Sequence, residues 1–265
     1  MPMNRERPSC HPVPVLLVVA ALLATGSPLA EPTGGADLAK EQRWREQIVD
    51  SLLDGEAVDL RADELTFLGI YTEADEPTGR AAIIVHGIGV HPDWPQVVQP
   101  LRTRLPAEGW STLSIQMPVL PNQAEPKDYD ALMAEVAPRF DAARAFLREQ
   151  GAEQIAIVAH SMGARMANHY LAGHPAGIDA YVAIGTSGGA GGEQMAAIKL
   201  PMLDLYGQQD LPGVVGGAAA RGAAGAANPG YAQAVVPGAD HFFDRREEAL
   251  VGTVVEWLDG TVPRD

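Results

Sequence analysis

Basic residues are scarce in this 265-residue chain: 19 lysines and arginines stand against 34 acids, a formal charge of −15. Surfaces that grip phosphate backbones are basic, so nucleic acid is excluded as a partner. Only three lysines occur, Lys40, Lys127 and Lys199, and none follows a glycine. The Gly-Lys pair of the phosphate-cradling loop is therefore missing. A single cysteine, Cys10, leaves no room for an internal disulfide framework or a thiolate zinc site. No His-Glu-x-x-His and no clustered ligand spacing suggests a metal, and no cofactor is implied. Past residue 24 no apolar run is long enough to span a bilayer.

What is present begins with an address. Arg5 and Arg7 precede the apolar run Val13 to Ala24 (VPVLLVVAALLA), and the small, turn-forming residues Thr25 to Ala30 follow. A basic start, a short apolar stretch and a small-residue exit form a secretory signal peptide. The expectation is a cleaved signal over residues 1–30, a periplasmic or secreted bacterial protein, and no stable membrane insertion once the signal is gone. A retained anchor is the competing reading. Cys10 lies before the apolar run, where a lipoprotein cysteine would not, and would leave with the signal. Residues 31–55 read as a polar segment with a short helix near Leu38 to Leu53, and residues 56–265 as one domain.

After residue 55 the apolar pattern alternates between short strand-like runs and helical periodicity. Ala57–Arg61 and Glu64–Tyr71 read as strands around a turn at Ala62-Asp63. Further strands are expected at 80–86, 111–116, 154–159, 181–184, 202–206 and 232–236. Helices are expected at 94–105, 128–150, 162–172 and 245–258. The clearest is 128–150, where Tyr129, Leu132, Met133, Val136, Phe140, Ala143 and Leu147 recur at three- and four-residue steps. Short buried strands separated by helices predict an α/β fold, a mostly parallel sheet covered on both faces. The Gly/Ala-rich stretch 213–230 reads as weak helix plus loop, and Gly185 to Gly192 (GTSGGAGG) as a flexible connection.

In such sheets, sites lie beyond the carboxyl ends of strands. The strand QIAIV is followed by Ala159-His160-Ser161-Met162-Gly163. A serine among small residues at a strand-to-helix switch matches a nucleophile elbow. There the turn is sharp, the neighbours two positions away must be small, and the hydroxyl stands above the sheet at a helix N-terminus. The competing reading of Ser161 is a helix N-cap.

With this motif the chain resembles the α/β-hydrolase family, over roughly residues 55–260. Ala159 stands where the common pattern has glycine. The runs VHGIGVHPDWP and SIQMPVLP resemble an exported proteobacterial branch known only as a domain of unknown function. The resemblance implies the α/β-hydrolase fold and the order Ser, Asp/Glu, His along the chain. His86-Gly87-Ile88-Gly89 matches the family's oxyanion loop, so the backbone N–H groups of Ile88 and Met162 would be the oxyanion donors. Of seven histidines, His241, between the last strand and the last helix, is at the family's histidine position. His86 reads as structural, His160 as pointing away from Ser161, and His169 and His174 as surface or packing residues. The acid is expected after the strand 202–206, at Asp210; Asp204, inside the strand, competes. No lid fits between Ile184 and Pro201. Candidate rims are Val90 to Pro95, with His91 and Trp94, and Pro118 to Pro126. Trp94 reads equally well as a packing residue at a helix start.

Three functions are open: a serine esterase or thioesterase on a small or medium acyl substrate, an amidase or peptidase with the same triad, and a non-catalytic envelope binding protein on this fold.

Overall fold

The computed structural model describes Met1 and residues 35–173, 176–187 and 190–264. The leader expected over residues 1–30, with Cys10 and His11, and also His174, lie outside the described residues. The β-branched apolar runs pair into one eight-stranded sheet, ordered β1-β2-β4-β3-β5-β6-β7-β8. β1 (Glu56–Ala62) and β2 (Leu65–Thr72) form an antiparallel hairpin, and β2 lies antiparallel to β4 (Ser111–Ile115). The remaining neighbours are parallel: β3 (Arg80–Val85), β5 (Gln154–His160), β6 (Ala180–Ile184), β7 (Met202–Gly207) and β8 (Tyr231–Val236).

Alternation along each strand feeds two cores. In β3, Ala81, Ile83 and Val85 face a cluster with Phe140 and Leu147 of α3 (Val136–Glu149) and Met166 of α4 (Met162–Gly173). Ala82 and Ile84 face the other way, toward Leu101 of α2 (Val98–Arg104) and Leu250 and Val254 of α7 (Glu247–Thr261). Helices therefore cover both faces. Among the described residues between β6 and β7 the chain makes one short helix, α5 (Ala190–Ala197), which begins within the Gly185–Gly192 stretch expected to be a flexible connection, and no lid domain. After β7 comes α6 (Pro212–Gly225).

Two helices start later than their periodicity suggests, for one reason. The 128–150 segment opens as a 3-10 stretch, Asp128–Glu135, and turns α-helical at Val136; the 94–105 segment becomes helical at Val98. Pro138 and Pro100 lack an N–H and would break a helix interior, but in a first turn that N–H has no partner anyway. The β1–β2 turn is Asp63-Glu64 rather than Ala62-Asp63: Ala62 pairs with Leu65, and Asp63 takes φ 53°.

The polar segment before residue 56 forms α1 (Leu38–Ser51), within the same compact unit as the sheet. Its N-cap Asp37 accepts from the Lys40 N–H. Ile48 packs on Leu68 and Ile70 of β2. Glu41 receives both ends of the buried Arg139 guanidinium, at 2.9 and 3.1 Å, and joins α1 to α3. Burial pushes the Glu41 carboxyl up, with Arg139 working against that rise.

Candidate active site

β3 is the first of the parallel strands, and the chain builds outward from it in both directions, to β4 on one side and to β5 on the other. The crevice beyond the carboxyl ends of β3 and β5 is therefore the topological switch point. A cavity of about 570 Å³ opens there.

Ser161 stands at the end of β5 with φ 55°, a left-handed conformation that costs a non-glycine residue energy. The surroundings enforce it. Its N–H donates to the Ile184 carbonyl at 2.8 Å, and α4 leaves at once with Met162. A methyl group at Gly163 would lie 2.3 Å from the His86 carbonyl oxygen, so helix and strand end approach as closely as a small-residue rule demands. Ala159, where the family pattern has glycine, is fully buried within the sheet's core.

His241 comes from the loop between β8 and α7 and reaches both partners. Its Nδ1 donates to Asp210 Oδ1 at 2.6 Å, and its Nε2 lies 3.0 Å from Ser161 Oγ. With the proton held on Nδ1 by a carboxylate, Nε2 is free to accept from the serine hydroxyl. Asp210 follows β7 and also accepts from the N–H groups of Leu211 (2.7 Å) and Gly207 (3.3 Å). Burial pushes the Asp210 carboxyl up, but His241 and the two N–H donors outweigh it and hold it below its ordinary value. Gly185 has φ +62°, and a methyl group there would come within 3.0 Å of the His241 ring, so the glycine keeps room for the pair. Asp204, the competing acid, faces Arg221 at 2.8 Å, away from His241.

Two further histidines support this arrangement. His160 lines the cavity, and its Nε2 donates to the His241 carbonyl at 2.9 Å. Burial, with repulsion from His241, pushes its imidazole down to about 4. His86 donates from Nδ1 to the Gly87 carbonyl at 2.8 Å and accepts at Nε2 from the Met117 N–H at 2.9 Å. It pins the loop after β3 to the end of β4, and burial pushes it down to about 3. Both stay neutral near pH 7.

Ile88 and Met162 line the same cavity as Ser161. Met162 opens α4, where a first-turn N–H has no intrahelical partner. Of the two expected rim residues, Trp94 lines the cavity and His91 does not. His91 stands one layer back, its ring 5.4 Å from both Trp44 and Trp94. Gln96 ties the Trp94 indole (3.3 Å) to Asp244 of the His241 loop (2.7 Å). From the second candidate rim only Pro126 reaches the cavity.

Several lining residues escape sequence reasoning: Arg165, Thr186, Ser187, Leu211 and Phe242. Leu211 and Phe242 directly follow Asp210 and His241, and Thr186 and Ser187 follow β6. Reading one residue past Asp210 and His241 finds Leu211 and Phe242, and reading three residues past β6 finds Thr186 and Ser187.

Among known proteins, the α/beta hydrolase fold family model matches residues 83–239. A second family, described as protein of unknown function (DUF3530), matches residues 20–138. No curated protein matches the chain. Solved structures are similar at low identity. A dienelactone hydrolase from Anabaena variabilis superimposes with TM-score 0.64 at 20% identity, covering 78% of this chain and 97% of its own. The esterase Pf2001 from Pyrococcus furiosus gives 0.65 at 15%, covering 81% and 95%. A cold-adapted esterase from an Arctic intertidal metagenomic library gives 0.64 at 19%, covering 77% and 92%. At these identities the likeness is one of fold.

Proposed function

The chain belongs to the α/β hydrolase fold family, and on that footing we propose that it is a serine hydrolase cleaving a small or medium acyl ester or thioester through an acyl-enzyme. The observation that carries this reading is the unbroken hydrogen-bonded line Ser161–His241–Asp210, at 3.0 and 2.6 Å, on the wall of a cavity. Ser161 Oγ attacks the carbonyl carbon while His241 Nε2 takes its proton. The N–H groups of Ile88 and Met162 receive the oxyanion. The tetrahedral adduct collapses, the C–O or C–S bond breaks, and His241 returns the proton to the leaving alcohol or thiol. Water then attacks the acyl-serine by the same route and releases the acid. Asp210 holds the imidazole in the required tautomer and stabilises its charged form.

Hydrolysis of short-chain nitrophenyl esters by wild type and Ser161→Ala tests this reading. Turnover that disappears with the serine hydroxyl supports it. Equal background rates for both proteins would overturn it. Residues 1–30 are proposed to direct export to the periplasm or beyond; a reporter fusion that stays in the cytoplasm would contradict that.

A further inference from the structure

Among the described residues, Arg165 is the one lysine, arginine or carboxylate side chain lining the cavity, and it is already engaged: it forms an ion pair with Asp130 and donates to the Pro126 carbonyl at 3.1 Å. A guanidinium with a carboxylate already beside it attracts a second carboxylate less strongly than a free one would. The rest of the wall away from the reacting groups is mainly hydrocarbon, with Val90, Trp94, Leu211 and Phe242 among its lining residues. A cavity of about 570 Å³ is also far larger than an acetyl group requires.

Leu211 and Phe242 have a second property. They line the cavity and yet are 49% and 41% exposed. They therefore form its mouth. Val215, one turn along α6 from Leu211, is 41% exposed as well, and its N–H donates to the Leu211 carbonyl at 3.1 Å. An apolar wall thus continues outward into an apolar rim. Exposing large hydrocarbon groups at the mouth of a site is unfavourable unless something covers them.

We infer that this site takes a neutral ester bearing a hydrocarbon chain long enough to run from Ser161 along the apolar wall and out between Leu211 and Phe242. The inference rests on the serine hydrolase reading and adds the substrate class. The chain's acidity agrees with a neutral substrate, since a formal charge of −15 repels anionic ones. The same acidity disfavours esters whose acyl part ends in a carboxylate, and the cavity's arginine already has Asp130 as a counter-ion.

The test is a chain-length series of nitrophenyl esters from acetate to decanoate, with one carboxylate-tailed ester of matched length. Each buried methylene contributes about 0.8 kcal/mol, so kcat/KM should rise about fourfold per methylene until the cavity is filled. The octanoate-to-acetate ratio should exceed roughly 10². Leu211→Ser with Phe242→Ser should lower that ratio about tenfold, because the far end of the chain loses its cover. Both side chains are exposed, so the double variant should fold; a circular dichroism spectrum matching wild type checks this. Alkyl fluorophosphonates of increasing chain length give a second readout through the rate of Ser161 labelling. A flat or falling chain-length profile, or preference for the carboxylate-tailed ester, would overturn this inference while Ser161-dependent turnover keeps the hydrolase reading. Absence of any Ser161-dependent turnover or labelling would overturn both.

Discussion

Asp204 and Asp210 lie six positions apart, one inside β7 and one just beyond its end, and they have opposite partners. Asp204 sits in the middle of the strand with no exposure, and accepts from Arg221 at 2.8 Å, Tyr231 at 3.0 Å and Gln233 at 2.8 Å. Its counter-ion is permanently charged, so the pair cannot pass a proton. Its effect is mechanical: it fastens α6 and β8 to β7. Asp210 faces an imidazole, whose charge can change during a reaction. On the proposed mechanism, one residue type therefore serves as a fixed anchor or as a proton-relay support, and its place relative to the strand end decides which. The same division separates Arg139, locked to Glu41 in the core, from the groups around Ser161.

The largest effect should come from Asp210→Asn. An amide cannot hold the Nδ1 proton in the same way, so kcat on esters is expected to fall on the order of 10⁴-fold, read by steady-state kinetics, while folding persists. Asp204→Asn should do the reverse. Breaking a buried ion pair costs about 3–5 kcal/mol, to be read in urea unfolding, with turnover per folded molecule within a few-fold of wild type. A folded but inactive Asp204→Asn protein would break the comparison.

The sequence made part of this contrast legible. Ser161, His241 and Asp210 each follow a strand, and strand ends can be read from apolar runs. The preference for Asp210 over Asp204 comes from its place after the strand, where the resembled family has its acid. That argument could not identify Arg221, which arrives from a glycine-rich segment with little periodicity. The docking of α1 was hidden for a related reason: its main tie, Glu41 to Arg139, joins residues 98 positions apart. The displacement of His91 from the rim depends on the ring of Trp44, also on α1.

Acid should separate the two kinds of buried group further. His86 and His160 have folded values of about 3 and about 4, below the ordinary 6.5. The unfolded chain therefore takes up protons first as pH falls. The stability these neutral rings contribute is complete above pH ~6.5 and is lost progressively below it. Near pH 5 each histidine should contribute a slope of about 1.4 kcal/mol per pH unit, or about 3 together. Urea unfolding at pH 7, 6 and 5 measures this, and His86→Gln should remove about half of the slope. An unchanged slope would mean that His86 is protonated in the fold.

The smallest effect concerns the helix that Arg221 holds in place. A methyl group at Gly216 would meet nothing within 4 Å, so Gly216→Ala should raise stability by about 1 kcal/mol in thermal unfolding. At Gly225 the added carbon would lie 2.4 Å from the Tyr231 ring, and Gly225→Ala should lower it. Equal responses at the two positions would show that α6 is not packed as described.

The relay is assembled from three separate crossovers, at residues 161, 210 and 241. During synthesis the central strands β3 and β5, and with them the elbow serine, leave the ribosome well before the imidazole does. No nascent chain ending short of His241 can hold the three groups together, so on the proposed mechanism growing chains would carry an inert serine. Hydrolytic competence would switch on only when the last loop closes over β7, which makes the loop between β8 and α7 the reporter of finished folding.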